Sequence, residues 1–302
     1  MSRRRRGSDI HGIVLLDKPV GMSSNGALQK VRGMFQARKA GHTGSLDPFA
    51  TGMLPICLGE ASKTAAYMLE AGKWYRATAR FGVATTTGDL EGEVIQTCKL
   101  PDIDAETLKH TLDRFTGEIE QVPPMYSALK HEGKPLYEYA RAGIVIERPA
   151  RRVTIHRLGL LDWQSPDLTF EVHCSKGTYI RTLAEDIAMT LGSCAHLVAL
   201  RRTMAEPFDG LPMRTLAQLQ EAKDAGQLAG VLLPVDAGLP DWPRIELDAV
   251  RQGQFMHGNR FGFSPDGLEA GKVRVYGPDN NLLGLADLTS DGVLKPAKVF
   301  NF

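Results

Sequence analysis

Residues 41–52 read Gly-His-Thr-Gly-Ser-Leu-Asp-Pro-Phe-Ala-Thr-Gly, and this stretch decides how the rest of the chain is interpreted. Several glycines surround a single carboxylate, Asp47, and glycine lets the backbone follow tight turns with positive φ. Pro48 disfavours the helical region for the residue before it, so we expect the Asp47 carboxylate on an extended loop. The residue types alone are typical of an Asx turn before proline. The stretch lacks the Lys-Ser or Lys-Thr ending of a P-loop, which disfavours nucleotide-triphosphate binding.

The elements on both sides of this loop predict a mixed fold. An apolar run at residues 13–16 enters the turn formers at 17–21 and predicts a strand. Ser23 or Ser24 then provides an N-cap for an amphipathic helix through Phe35. Further helices are predicted near residues 61–69, 105–115, 136–142 and 179–191, and further strands at residues 74–81, 153–161 and 168–174. This order predicts an α+β fold with a mixed, largely antiparallel sheet.

The last 60 or so residues form a separate pattern. A Pro- and Asp-rich passage at residues 233–243 is typical of a hinge between domains. Beyond it, residues 272–276, 282–288 and 293–299 predict short strands separated by turns, as in a small β-barrel. We therefore expect a basic disordered tail at residues 1–10, a large domain at 11–243 and a small one at 244–302.

Composition excludes several classes of protein. The chain has 302 residues, of which 43% are hydrophobic and 24% charged, values that exclude collagen-like and wholly disordered chains. Four scattered cysteines form no CxxC pair, which argues against a disulfide framework or a zinc ribbon and favours a reducing compartment. Apolar runs such as residues 12–16 stop far short of the roughly 18 residues of a membrane span. We expect a cytoplasmic protein without a metal site.

Charge is distributed unevenly along the chain. The net charge is +1, but residues 1–202 carry +5 and residues 203–302 carry −4. Residues 121–160 carry +4 and form the most basic long segment outside the N-terminal tail. A polyanionic partner would therefore meet the first two-thirds of the chain, although charge alone fits a solvated surface equally well.

Five ordered motifs resemble those of the bacterial tRNA pseudouridine synthase B family. They are residues 17–21 (DKPVG), 41–51, 73–77 (KWYRA), 175–183 (SKGTYIRTL) and 195–202 (AHLVALRR). The segment 284–300, with Leu294-Lys295-Pro296, resembles the end of a PUA-type domain. The resemblance implies a pseudouridine synthase fold with a PUA-like C-terminal domain, and isomerisation of uridine-55 in the T-arm of tRNA. It implies no cofactor and no metal.

The resemblance also implies roles for individual residues. Asp47 matches the family nucleophile, Arg181 the cation that keeps it charged, and Tyr75 the tyrosine that stacks on the flipped base and takes the C2′ proton. The remaining substrate contacts match His42, Tyr179 and Leu200, and Lys18 is expected to brace the Asp47 loop. Whether Asp47 attacks C1′ or promotes elimination to a glycal stays open.

Residues 121–152 match a thumb-like insertion that orders over the T-arm in the family. We expect phosphate contacts from cations of this segment and from two arginines further along the chain: Lys130, Lys134, Arg141, Arg151, Arg152, Arg201 and Arg202. The implied partner is tRNA, bound by a monomer without a protein partner or a membrane.

Two other functions compete with the isomerase. An RNA chaperone that unfolds and refolds the tRNA elbow can coexist with it, because base flipping disrupts the loop. A hydrolase with Asp47 as nucleophile is disfavoured because no second paired carboxylate is evident for water activation.

Overall fold

The computed structural model describes residues 8–263 and 267–302. Of the tail predicted to be disordered, residues 1–7 lie outside the described residues. The other three residues are ordered, contrary to that prediction. The Ser8 amide donates to the Gln36 carbonyl at 2.8 Å, and Arg38 forms an ion pair with Asp9 at 2.8 Å. The chain therefore joins the fold from residue 8 onward.

The described residues form helices and strands in alternation. The helices are α1 (Ser24–Phe35), α2 (Ala65–Leu69), α3 (Ala105–Arg114), α4 (Leu136–Arg141), α5 (Ile180–Thr190), α6 (Leu216–Asp224) and α7 (Ala249–Met256). The strands are β1 (Gly12–Lys18), β2 (Ala40–His42), β3 (Thr51–Leu58), β4 (Lys73–Phe81), β5 (Val83–Thr85), β6 (Val94–Thr97), β7 (Gly117–Gln121), β8 (Lys130–His131), β9 (Lys134–Pro135), β10 (Arg151–Gln164), β11 (Asp167–Cys174), β12 (Ala195–Ala205), β13 (Arg244–Glu246), β14 (Phe261–Gly262), β15 (Gly271–Tyr276), β16 (Leu282–Leu288) and β17 (Val293–Val299). Short 3₁₀ turns occupy Gly59–Lys63 and Leu228–Val231.

An eight-stranded sheet forms the centre of the molecule. Its order is β1-β3-β12-β4-β11-β10-β7, with β2 paired to β3. All of these pairs are antiparallel except β3 with β12. The predicted α+β fold with a mixed, largely antiparallel sheet is confirmed. Helices α3 and α5 contribute Leu108 and Leu183 to the core over this sheet.

The parallel pair of β3 and β12 depends on one glycine. Gly52 lies opposite Arg202 and has a φ of 100°, a conformation that other residues rarely adopt. A Cβ atom at Gly52 would lie 2.2 Å from the Arg202 carbonyl oxygen. The two strands can therefore approach only because this position carries no side chain.

Neither β3 nor β12 was predicted from the sequence. Strand β3 contains Pro55, which pairs with Leu15 of β1, although proline is unusual inside a strand. Strand β12 contains two consecutive arginines at its centre, which hide its apolar alternation. The helix predicted over residues 61–69 is instead a 3₁₀ turn followed by the single short helix α2.

The C-terminal residues form a second, five-stranded sheet with the order β13-β15-β16-β17-β14. This sheet is a curled half-barrel, and β15, β16 and β17 match the three predicted strands to within one residue. Arg274 of β15 forms an ion pair with Asp236 at 3.0 Å, and this contact ties the sheet to the segment before it.

The predicted hinge at residues 233–243 is packed against the core. Val235 and Leu239 are buried in one cluster with Ile13 of the large sheet and with Leu285 and Phe300 of the C-terminal sheet. Backbone hydrogen bonds also join Leu233 to Ile13 in both directions, at 2.9 and 3.0 Å. The segment therefore joins the two sheets through a shared core.

Cys98 and Cys194 form a disulfide across 96 residues of chain, contrary to the expectation of a chain without one. The bond links the end of the β5–β6 hairpin to the residue before β12. Cysteine spacing could not reveal it, because the two partners meet only once β5 and β12 lie side by side.

Among the described helices, none is long and apolar enough to cross a membrane.

The disulfide predicts the number of titratable thiols. Cys57 and Cys174 are free and buried, and burial raises the pKa of their thiols to about 12 and about 11. We expect almost no reaction of the native protein with Ellman's reagent, because the thiolate is the reactive form. The denatured protein should show two thiols without reductant and all four after reduction. Four thiols in the unreduced, denatured protein would contradict the Cys98–Cys194 bond.

Candidate active site

Asp47 lies in the loop between β2 and β3 and pairs with an arginine from the other side of the site. Its Oδ2 atom is 3.0 Å from Nε of Arg181, in the first turn of α5. The Asp47 side chain remains 37% exposed, whereas that of Arg181 is 4% exposed. The predicted pair is thus brought together, with the cation buried and the carboxylate open to a ligand.

Two backbone contacts on either side of Asp47 hold its loop. The Ser24 hydroxyl, at the start of α1, accepts from the Leu46 amide at 2.7 Å and donates to the Leu46 carbonyl at 3.0 Å. The Pro48 carbonyl accepts from the Gly21 amide at 2.9 Å. Because both neighbours of Asp47 are fixed, its carboxylate has little freedom to move away from Arg181.

Arg181 is also held from behind. It donates to the Thr87 carbonyl at 2.5 Å and to the Tyr126 carbonyl at 2.8 Å. A second carboxylate, Asp89, lies 3.5 Å from its Nη1 atom and is buried. Asp89 itself accepts from the Thr87 hydroxyl at 2.5 Å. Arg181 therefore contacts two carboxylates and two carbonyls, which fixes the direction of its guanidinium.

Sequence reasoning missed Asp89. The available signal was the turn-forming run Thr86-Thr87-Gly88-Asp89, which resembles many surface turns. Only the fold shows that this turn lies against α5, whose Arg181 donates to the Thr87 carbonyl. The turn also contacts β12, because the Leu197 amide donates to the Gly88 carbonyl at 3.0 Å.

The charges around Asp47 act in opposite directions. Burial raises the pKa of the Asp47 carboxyl above its ordinary value of 3.8, and nearby Asp89 raises it further. Arg181 opposes this rise through its charge and its hydrogen bond, and Lys18 opposes it through its charge. The guanidinium therefore counteracts the cost of burying a charged carboxylate.

Lys18 is fully buried at the end of β1. Its ammonium donates to the carbonyls of Pro19 at 2.9 Å, Met22 at 2.6 Å and Pro48 at 3.2 Å. Burial lowers the pKa of Lys18 to about 8, while the nearby Asp47 charge raises it. The ammonium joins the turn after β1 to the Asp47 loop, in the bracing position that the resemblance implies.

Tyr75 of β4 is 8% exposed and packs in the same core cluster as Leu46 and Phe49 of the Asp47 loop. Burial raises the pKa of its phenol above the ordinary value of 10.0. The phenol is thus neutral near pH 7 and does not act as a preformed phenolate. To take the C2′ proton, as the resemblance implies, the hydroxyl would have to release its own proton in the same step.

His42 precedes the Asp47 loop at the end of β2. Its Nδ1 atom accepts from the Gly44 amide at 3.3 Å, so in the neutral ring the proton resides on Nε2. Burial lowers the pKa of His42 below 6.5, and the nearby Arg202 charge lowers it further. His42 therefore presents a neutral Nε2–H donor.

Tyr179 and Leu200 line the same region from α5 and β12. Tyr179 caps α5, and its backbone amide and carbonyl are both bound by the Gln121 side chain, at 2.8 and 3.1 Å. Leu200 is 7% exposed and shares the core cluster with Tyr75. Gln121 was missed as a positioning residue, because a glutamine at the end of a strand carries no sequence signal.

The residues expected to contact phosphate separate into two groups. Five of them lie exposed on or beside the thumb-like insertion: Lys130, Lys134, Arg141, Arg151 and Arg152. The expectation for Arg202 is wrong, because this residue is 1% exposed and donates to the Met53 carbonyl at 2.6 Å and the Gly44 carbonyl at 3.0 Å. Arg201 is half-buried and binds both carboxylate oxygens of Asp17, at 2.8 and 2.9 Å.

Replacement of Lys18 by methionine tests the bracing contact. Methionine removes one donor from each of three carbonyls, of which that of Pro48 keeps the Gly21 amide, so we expect the free energy of unfolding to fall by about 1–3 kcal/mol in chemical denaturation. Lys30→Met, at an exposed position of α1, should change it by less than about 0.5 kcal/mol. An unchanged stability of the Lys18→Met variant would contradict the contact as described.

Comparisons with known proteins place the chain in one family. It matches the profiles described as "TruB family pseudouridylate synthase (N terminal domain)" over residues 32–180, "tRNA pseudouridylate synthase B C-terminal domain" over 181–240 and "Pseudouridine synthase II TruB, C-terminal" over 243–300. It is 52% identical over 299 residues to the tRNA pseudouridine synthase B of Burkholderia mallei (strain NCTC 10247), covering 96% of this chain and 97% of that protein. The same enzyme of Actinobacillus succinogenes is 47% identical over 306 residues, covering 100% of this chain and 98% of the other.

Solved structures agree on the fold. A protein in the "Crystal Structure of a Cbf5-Nop10-Gar1 Complex" aligns with a TM-score of 0.73 at 24% identity, covering 96% of this chain and 85% of that chain. A second, in the "Structure of H/ACA RNP bound to a substrate RNA containing 2'-deoxyuridine", aligns with a TM-score of 0.74 at 22% identity, covering 100% and 92%. The resemblance drawn from the five motifs is confirmed by sequence identity over nearly the whole chain. The chain belongs to the TruB family of pseudouridine synthases and is an isomerase of that family.

Proposed function

We propose that the protein isomerises uridine-55 in the T-arm of tRNA to pseudouridine, with Asp47 as the nucleophile. The observation that carries this proposal is the pair of a partly exposed carboxylate and a buried guanidinium 3.0 Å apart. The names of the relatives, tRNA pseudouridine synthase B, support tRNA as the substrate.

The reaction is an internal transfer of uracil on its own ribose. The bond from C1′ to N1 breaks, the base turns within the site, and a bond forms from C1′ to C5. C5 then loses its proton and N1 gains one, so the isomer has the same atoms and no redox change occurs. Asp47 either attacks C1′ or promotes loss of the C2′ proton to give a glycal, and both routes begin with an ionised carboxylate.

The residues around Asp47 suit a flipped-out nucleoside. Extruding a base costs a few kcal/mol, and stacking on an aromatic ring returns about 1–3 kcal/mol. Tyr75 supplies the ring and a neutral hydroxyl, while His42 offers its Nε2–H as a donor. Leu200 and Tyr179 complete the apolar and aromatic walls.

The exposed cations of the thumb-like insertion supply the remaining affinity. At the surface, a phosphate backbone can displace the counterions of Lys130, Lys134, Arg141, Arg151 and Arg152.

We propose that the protein acts in the cytoplasm as a monomer without a protein partner. We also propose that base flipping helps the tRNA elbow to refold.

Replacement of Asp47 by asparagine tests the nucleophile. The rate of pseudouridine formation should fall by about three orders of magnitude or more, because the amide keeps the shape but not the charge. Carbodiimide labelling of an unmodified T-arm hairpin measures the product and its position. The Kd for the hairpin should stay within about threefold, since one carboxylate adds little to a phosphate-dominated interface.

The matched control for Asp47→Asn is Asp167→Asn. Asp167 is also paired with an arginine, Arg80, at 2.8 Å, but on an exposed part of the sheet. This variant should keep wild-type activity. Release of free uracil by the wild type would indicate a hydrolase instead, and RNA refolding that persists in Asp47→Asn without modification would show the chaperone activity by itself.

The pH profile tests the charge on Asp47. Burial raises its pKa above 3.8, so protonation, and with it the loss of activity, sets in at a higher pH than for a free aspartate. In Arg181→Lys the opposing hydrogen bond is weakened, so the acid midpoint of the single-turnover rate should move further up. A wild-type midpoint at or below 3.8, or a downward shift in Arg181→Lys, would contradict this assignment.

A further inference from the structure

Arg148 is a half-buried cation of the thumb-like insertion. Its Nε and Nη1 atoms are each shielded from solvent, and neither has a hydrogen-bond partner among residues 8–263 and 267–302. Arg148 lies between α4 and β10 in the thumb-like insertion. It differs from the five exposed cations of the same insertion, which face water.

The backbone places Arg148 close to the candidate active site. Strands β7 and β10 pair in antiparallel fashion up to Arg151 and Gln121. Beyond that pair the two segments remain in contact, because the Ile146 amide donates to Sδ of Met125 at 3.5 Å. Continued past Arg151 and Gln121, this register brings Arg148 toward residues 123–125. The next residue, Tyr126, accepts from Arg181 at 2.8 Å through its carbonyl.

A guanidinium in this state is unfavourable in the free protein. It is charged at every physiological pH, so it cannot relieve its burial by losing a proton. Leaving buried donors unpaired costs free energy, and a folded protein rarely keeps such groups without a functional reason. Its planar fork matches an anion with two oxygens in one plane, such as a phosphate or a carboxylate.

We propose that Arg148 is a pre-positioned receptor for one backbone phosphate of the bound RNA, next to the extruded nucleoside. This inference rests on the proposed function, which makes RNA the substrate. The charge of the surroundings favours phosphate over a peptide carboxylate, because residues 121–160 carry a net +4. The exposed cations attract the backbone as a whole, and Arg148 fixes one phosphate and thereby the register of the RNA over Asp47.

The proposal predicts opposite effects on stability and on binding. In Arg148→Met an uncompensated charge is replaced by an apolar side chain of similar length, so the melting temperature of the RNA-free protein should stay equal or rise. The Kd for an unmodified T-arm hairpin should rise about tenfold, and the slope of log Kd against log salt should fall by about 0.7–0.9, the value for one phosphate. A residue that merely holds the thumb together would lower the melting temperature instead.

Two further variants separate charge from shape. Arg148→Lys keeps the charge and loses the planar fork, so its salt slope should match the wild type while its Kd rises several-fold. Arg114→Met removes an exposed arginine at the end of α3 and should change neither Kd nor slope. A slope in Arg148→Lys that falls as far as in Arg148→Met would overturn the proposal.

Replacing the phosphates of the hairpin one at a time by uncharged methylphosphonates identifies the phosphate that Arg148 contacts. One position should weaken binding of the wild type and have no further effect in Arg148→Met, because the two changes remove the same contact. Equal penalties in both proteins at every position would overturn the proposal. Pseudouridine mapping on the unsubstituted hairpin keeps the two hypotheses apart: conversion by the wild type with no such coupling rejects the role of Arg148 alone, whereas no conversion rejects the proposed function.

Discussion

A carboxylate that must stay charged next to a buried guanidinium imposes two requirements that oppose each other. Burial of Asp47 favours its protonated form, whereas the proposed reaction needs the ionised carboxylate. The fold buries the cation almost completely and leaves the carboxylate partly exposed beside it. Arg181 is 4% exposed and aligned by the carbonyls of Thr87 and Tyr126, whereas the Asp47 carboxylate keeps an open side.

The same arrangement recurs at two more cations around the loop. Lys18 and Arg202 are 0% and 1% exposed, and both direct their donors at backbone carbonyls. Each cation joins two segments that are distant in sequence: Lys18 joins β1 to Pro48, and Arg202 joins β12 to Gly44. Hydrogen bonds to the charged group offset its desolvation, so these residues stabilise the loop. Nε and Nη1 of the half-buried Arg148 lack such partners among the described residues, and we have proposed a phosphate as their acceptor.

The sequence predicted the parts of this structure that depend on local pattern. The C-terminal strands, α1 and the large hairpin of β10 and β11 follow from alternation and capping, and the motifs identified the family and with it Asp47 and Arg181. The strands and contacts that the sequence did not predict depend on tertiary packing. Strand β3 contains a proline, and the arginine pair of β12 looks like surface charge although Arg202 lies in the interior. Asp89 and the Cys98–Cys194 bond arise where a hairpin meets β12, which no local pattern encodes.

The positions of the charged side chains explain how a polyanion can approach a site that contains a carboxylate. Arg181 is already paired with Asp47 and Asp89, so its charge attracts little from a distance. In the proposed function, long-range attraction comes from the exposed cations of residues 121–152. Phosphates are then drawn to the thumb-like insertion, and the reacting ribose, which carries no charge of its own, approaches the carboxylate. Separate cations for phosphate binding and for pairing with Asp47 would then let one site hold an anionic substrate and an anionic nucleophile together.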